Sequence, residues 1–140
     1  MAKTVLKTAV VTVNAVDISD HVSEVTIETT REEVDVTAFG AVNNEILAGL
    51  GDATITLQVF QDFAAGEVDA TMFPLSTSDT PFEIRVKPTN AAVSATNPEY
   101  VMSSLMFSYS PIAGAVGEAS TTELVFRNAS QAGLTRDVTP

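Results

Sequence analysis

The stretch Phe60–Leu75, FQDFAAGEVDATMFPL, decides how the chain is read. It is the one place where the pattern is helical. Nearly everything on either side alternates or turns. Ala64, Val68 and Met72 recur every fourth residue, which places them on one helical face. The spacing predicts a short helix over about 63–73 with Asp62 as its N-cap. Glu67 and Asp69 put negative charge toward its start, and Pro74 cannot continue it. A helix this short is marginal alone in water, so it must be held by packing on a sheet.

Strand patterns surround it. Thr8–Val13 is rich in β-branched residues and ends at an Asn14-Ala15 turn. Glu24–Thr29 alternates, with Val25 and Ile27 on one side and Glu24, Thr26 and Glu28 on the other. Ile55, Leu57 and Val59 form the apolar face of 53–60, and Phe82, Ile84 and Val86 that of 82–87. Tyr100–Tyr109 and a segment centred on Glu123–Phe126 complete about seven strands. The fold class is mainly β: an antiparallel β-sandwich or partly closed β-barrel with one flanking helix. At 140 residues the chain reads as one domain, 1–140, with flexible arms over 1–7 and 128–140.

The connection over about 30–51 is different. Val34, Val36, Phe39, Ile46, Leu47 and Leu50 are too many apolar residues for a loop in free solvent. Gly40, Asn43-Asn44, Gly49 and Gly51 punctuate it. It reads as a long arm or extended hairpin. Either it folds back on its own sheet or it docks on a neighbouring copy. In the second case Phe39, Ile46, Leu47 and Leu50 are its contact residues.

Composition excludes several functions. The net charge of −11 argues against a surface that grips a phosphate backbone. With no Cys and one His the usual zinc ligand set is missing, and no calcium-loop pattern occurs. The glycines fit neither dinucleotide nor P-loop motifs. His21 would have to serve any Ser-His-Asp triad, with Asp17 or Asp20 beside it, and no nucleophile motif accompanies it. The expectation is therefore no catalytic residues, no metal and no cofactor. No apolar run approaches a membrane span, and the first residues do not form a persuasive signal peptide.

Five motifs follow in order: Val16–Val22 (VDISDHV), Phe60–Leu75 leading to Thr80-Pro81-Phe82, Ser94–Tyr100 (SATNPEY), Ser108–Pro111 (SYSP) and Gly133–Arg136 (GLTR). In this shared order they resemble the tail tube proteins of long-tailed bacteriophages that infect actinobacteria. Together they span most of the chain. The resemblance implies a virion structural protein, made in the host cytoplasm, that forms stacked and commonly hexameric rings. Inner sheets then join into a β-lined channel. A tape-measure protein fills it before DNA passes, and tail-tip and terminator proteins cap it. Under that reading Glu24 and Glu28 face the lumen. The alternatives are a monomeric or capsid-bound decoration or adhesin-like sandwich, and a tail-completion protein.

Overall fold

A computed structural model describes residues 3–140. Met1 and Ala2, part of the expected N-terminal arm, lie outside the described residues. Eight strands and one α-helix follow in order: β1 (Val10–Val13), β2 (Val16–Asp17), β3 (Val22–Asp35), β4 (Ile46–Phe60), α1 (Val68–Ser76), β5 (Phe82–Lys87), β6 (Glu99–Leu105), β7 (Thr121–Asn128) and β8 (Thr135–Asp137). A single 3₁₀ turn, Ser19–His21, links β2 to β3. The sheet order is β2-β1-β5-β6-β7-β4-β3, every pairing is antiparallel, and β8 adds to β6.

Alternation sets the core. Val11 and Val13, Ile55, Leu57 and Val59, Phe82, Ile84 and Val86, and Leu124 and Phe126 all turn to one side and are buried. Their neighbours face solvent, as expected for an antiparallel sheet with one wet face. Phe82 and Phe126 meet edge to face, with ring centroids 5.9 Å apart. The sheet curls without closing. Leu6 and Ala9, leading into β1, face Val25 and Ile27 of β3 across a groove and do not join them in a ladder.

The helix packs on this core through Val68, Met72 and Leu75. It starts later than 63 because Gly66 adopts a left-handed φ of +78°. Asp62 caps a turn, not the helix: its carboxylate accepts the Ala64 N–H at 2.9 Å. Glu67 takes the N-cap position, and Ala64 is exposed. Pro74 lies inside the last turn and does not end it. Beyond it, the Ser76 and Thr77 hydroxyls donate to the carbonyls of Phe73 and Pro74 (2.7 and 3.2 Å), which satisfies the frayed end.

Two further expectations change. β6 stops at Leu105, short of Tyr109, because only Ser104 and Leu105 pair with β7 before the chain diverges. Tyr109 instead accepts a hydrogen bond from Gln61 (3.0 Å) and donates one to Asp69 (2.8 Å), tying the loop to the helix start. Burial pushes its phenol up to about 12, helped by Asp69 and opposed by the Gln61 bond, so it remains a donor at ordinary pH. The segment 128–140, read as a flexible arm, carries β8, whose Thr135–Asp137 pair with Val101, Tyr100 and Glu99. Three residues of mixed polarity carry too little periodicity to announce a strand.

The β1–β2 hairpin is closed by Asn14 and Ala15 at φ +49° and +67°, the geometry of a two-residue turn matched to strand twist. Asn tolerates this geometry, whereas Ala is strained by its Cβ. Replacing Ala15 with Gly should raise stability by about 0.5–1 kcal/mol. Equilibrium urea unfolding of the two proteins measures it, and an unchanged or lowered midpoint would show that the turn is not strained.

Candidate assembly arm and the His21 cluster

The long connection is an extended hairpin. β3 and β4 pair continuously from Val22–Val59 to Asp35–Ile46 apart from two irregularities, but β7 covers β4 only from Thr54 to Phe60. Among the described residues nothing else pairs with 30–35 or 46–51, so this part of the ribbon projects alone. Every residue from Glu28 to Ala48 is exposed. Near the tip the Val36 N–H donates to the Glu45 carbonyl (2.9 Å) and the Glu45 N–H to the Thr37 hydroxyl (2.7 Å). The Thr37 N–H and hydroxyl hold the Asp35 carboxyl below its usual range.

A bulge lies between Arg31 and Glu33, where β4 carries one extra residue. Gly49 sits there for want of space: a Cβ would lie 2.9 Å from Glu32 Cβ and 3.1 Å from Val34 Cγ2. Past the bulge, Val34 stands opposite Leu47, and Asp35 opposite Ile46. All four expected contact residues are presented to solvent: Phe39 is fully exposed, Leu50 79%, Leu47 57% and Ile46 56%. Val42, 96% exposed, joins them and was not singled out by periodicity because it sits in the turn. Exposed apolar side chains in this number on one projection are unusual for the surface of a monomer.

Glu24 and Glu28 are exposed on the side of β3 opposite the core. In register, Glu24 faces Gln58 and Gln58 faces Glu123, whose carboxylate accepts the Gln58 amide at 3.1 Å. The wet face of β3, β4 and β7 is thus polar where the three strands run together, carrying Glu24, Glu28 and Glu123, with Arg127 across Thr54 from Glu28.

One arrangement has no local signal in the sequence. His21 is largely buried, with Nε2 2.9 Å from Asp62 Oδ2 and Nδ1 2.9 Å from Asp20 Oδ1. Glu67 Oε2 lies 3.8 Å from Nδ1. Asp62 and Glu67 are far from His21 in sequence and meet it because the segment between β4 and α1 lies beside the β2–β3 connection. Ionised carboxylates only accept, so both ring nitrogens must donate, and the geometry calls for an imidazolium. Partial burial lowers the imidazole pKa, but the hydrogen bonds to Asp62 and Asp20 and the charges of Asp20 and Glu67 outweigh it, raising it above the ordinary 6.5. The Ala64 N–H and then His21 hold Asp62 below its ordinary 3.8. With both nitrogens engaged, the ring cannot serve as a general base for a hydroxyl nucleophile. His21, Asp62 and Glu67 could present one ligand atom each to a cation, all within 4.8 Å of one another, but a metal would have to displace the imidazole proton.

No family model matches the chain, and no curated protein matches it in sequence. Solved structures do match in fold. A chain of the virion of a native gene transfer agent particle superposes with a TM-score of 0.72 at 16% identity, covering 92% of this chain and 95% of its own. A chain of an extracellular contractile injection system's sheath-tube complex in the extended state gives 0.71 at 10% identity, covering 98% and 93%. A chain from the tail of an empty gene transfer agent particle, refined with C6 symmetry, gives 0.65 at 18% identity, covering 86% and 83%. What these chains share with this one is the fold, over nearly its whole length.

The His21 cluster sets a pH window. A raised histidine pKa contributes stability that is complete below about 6.5 and is lost as pH rises through the higher folded value. Asp62 adds a contribution present above its ordinary pKa and lost as pH falls through its lowered one. His21→Gln should therefore lower Tm most near pH 5.5 and progressively less toward pH 8.5. Thermal unfolding of both proteins across that range checks it, and a difference independent of pH would contradict the imidazolium assignment.

Proposed function

We propose that the chain is a structural tail-tube subunit that assembles into stacked, hexameric rings through which genome DNA is delivered. The observation that carries this reading is the projecting β3–β4 ribbon. Isolated two-stranded hairpins are marginally stable in water, and this one exposes its apolar side chains as well. It makes physical sense as an element completed by another copy. The free edge of β3 supports the same reading, since a long unpaired strand is an aggregation liability unless a partner takes it up.

The likeness to gene transfer agent tail and virion chains and to injection-system chains supports a tubular virion or injection assembly, and the six-fold tail among them supports the hexamer. Tape-measure protein in the lumen and terminator and tip proteins at the tube ends would be the partners, with the virion tail as the location. Glu24 and Glu28 would line the channel. A hexamer repeats the −11 charge six times, and a carboxylate-lined wall repels phosphate, so DNA slides without sticking. Screening confines this effect to roughly 8 Å at physiological salt, so only wall residues matter.

Deleting Phe39–Leu47 tests the arm. It leaves Val34–Ala38 to close the Glu33–Ala48 pair, a loop length that hairpins accept. The deletion protein should unfold as cooperatively as the parent yet remain monomeric in sedimentation velocity where the parent assembles. Assembly that survives the deletion would refute the role of the arm.

A further inference from the structure

His21 is the sole histidine of the chain, and the carboxylates of Asp20, Asp62 and Glu67 surround its ring. One imidazolium leaves two of those negative charges unbalanced. Among the described residues no Lys or Arg pairs with any of the three, because the Arg ion pairs lie elsewhere, on Glu83, Glu99 and Asp52.

The groups come from two segments, each fixed by its own backbone. Asp62 and Glu67 belong to the turn before α1. The Glu67 N–H donates to the Ala64 carbonyl (3.1 Å) and the Asp69 N–H to the Asp62 carbonyl (3.0 Å), which closes that turn. His21 ends the 3₁₀ turn, where its N–H donates to the Ile18 carbonyl (3.0 Å). A ring nitrogen of His21 and one oxygen each from Asp62 and Glu67 thereby converge, all within 4.8 Å of one another. Around a zinc-type ion with bonds of about 2.0–2.2 Å, ligand atoms stand roughly 3–3.5 Å apart. Asp62 Oδ2 is 2.9 Å from Nε2 and so close to that spacing. Glu67 has to swing inward, and it is free to do so: its carboxylate makes no hydrogen bond among the described residues and is half-exposed.

The neighbours supply what a ligating imidazole requires. A metal-bound histidine characteristically gives its other N–H to a carboxylate, which fixes the tautomer and the ring plane. Asp20 Oδ1, 2.9 Å from Nδ1, holds that place. Asp62 is oriented in turn, since Oδ1 accepts the Ala64 N–H at 2.9 Å and leaves Oδ2 for Nε2. One imidazole and two carboxylates suit a first-row transition ion, whereas Mg²⁺ and Ca²⁺ favour shells built wholly of oxygen.

We infer that His21 Nε2, Asp62 and Glu67 form a binding site for one divalent transition-metal ion of the zinc class, with Asp20 as the outer carboxylate on Nδ1. The ion takes the place of the Nε2 proton, which passes to solvent, and it joins the β2–β3 connection to the turn before α1. Counting His and Cys in the sequence excludes the usual zinc set, but two of the three ligands here are carboxylates brought in by the fold. The site uses no residue of the β3–β4 arm, so it stands or falls apart from the tail-tube reading.

A single histidine makes the test direct. The untagged protein, stripped of metal with a chelator and dialysed, is titrated with ZnCl₂ at pH 7.5 while the ring nitrogens of His21 are followed by NMR. One equivalent should shift Nε2 to a metal-bound position and leave Nδ1 protonated. Ring signals that stay in place while zinc is taken up would overturn the site, as would a shift at Nδ1 in place of Nε2. In calorimetry, Asp62→Asn and Glu67→Gln should each weaken zinc binding by at least about tenfold, and Asp20→Asn by roughly tenfold. Asp79→Asn, which removes an exposed carboxylate outside the cluster, should leave it unchanged. Affinity that survives both Asp62→Asn and Glu67→Gln would reduce the binding to general attraction by an acidic surface and refute the assignment. Equal concentrations of Mg²⁺ or Ca²⁺ should leave the His21 signals in place, and a response matching that to zinc would contradict the donor set.

Discussion

From Ile46 to Ala53, β4 has β3 on one side and no strand on the other. The rest of the molecule is arranged around that imbalance. A two-stranded ribbon gains half the ladder of a central strand and buries neither face. This ribbon exposes Phe39, Ile46, Leu47 and Leu50 where a stable monomer would expose charge. The body tolerates it because the core is complete without it. The buried faces of β1, β4, β5 and β7 and the stripe Val68–Met72–Leu75 close over one another, and no residue of 28–52 belongs to that core. Gly49 shows that the ribbon is shaped and not merely loose, since its bulge lacks room for a side chain against Glu32 and Val34.

Two devices place the helix against this body. Gln61, just past β4, donates to the Tyr109 hydroxyl, which donates to the Asp69 carboxylate of α1. His21 forms a second link, spanning from the β2–β3 connection to Asp62 and Glu67. The first is insensitive to ordinary pH because the Tyr109 phenol is held high. The second depends on a single proton. Both act at the end of the β3–β4 ribbon opposite the arm, so they fix the body without constraining the projection.

Much of this was legible in the sequence, because alternation and apolar excess are local signals. The strict pattern of Glu24–Thr29 and of Phe82–Lys87 gave strands with the faces the structure shows. Phe39, Ile46, Leu47 and Leu50 stood out as apolar residues in a segment without strand-like burial, and they are exposed. The helix was found but its start was misplaced, since Gly66 in a left-handed conformation interrupts a periodicity that Ala64 falsely extends. β8 escaped notice because its pairing is dictated by β6 and not by its own residues. The His21 cluster escaped for a related reason: Asp62 and Glu67 meet it only through the tertiary fold.

The most direct test of the account is electron microscopy of the purified protein over a concentration series, with tail-tip complexes added as seeds. The account predicts six-fold rings with a central hole that stack into tubes, and at higher resolution ribbon residues 30–51 buried between copies. Monomers persisting at the highest concentration in the presence of seeds, or tubes with this ribbon still free in solvent, would contradict it.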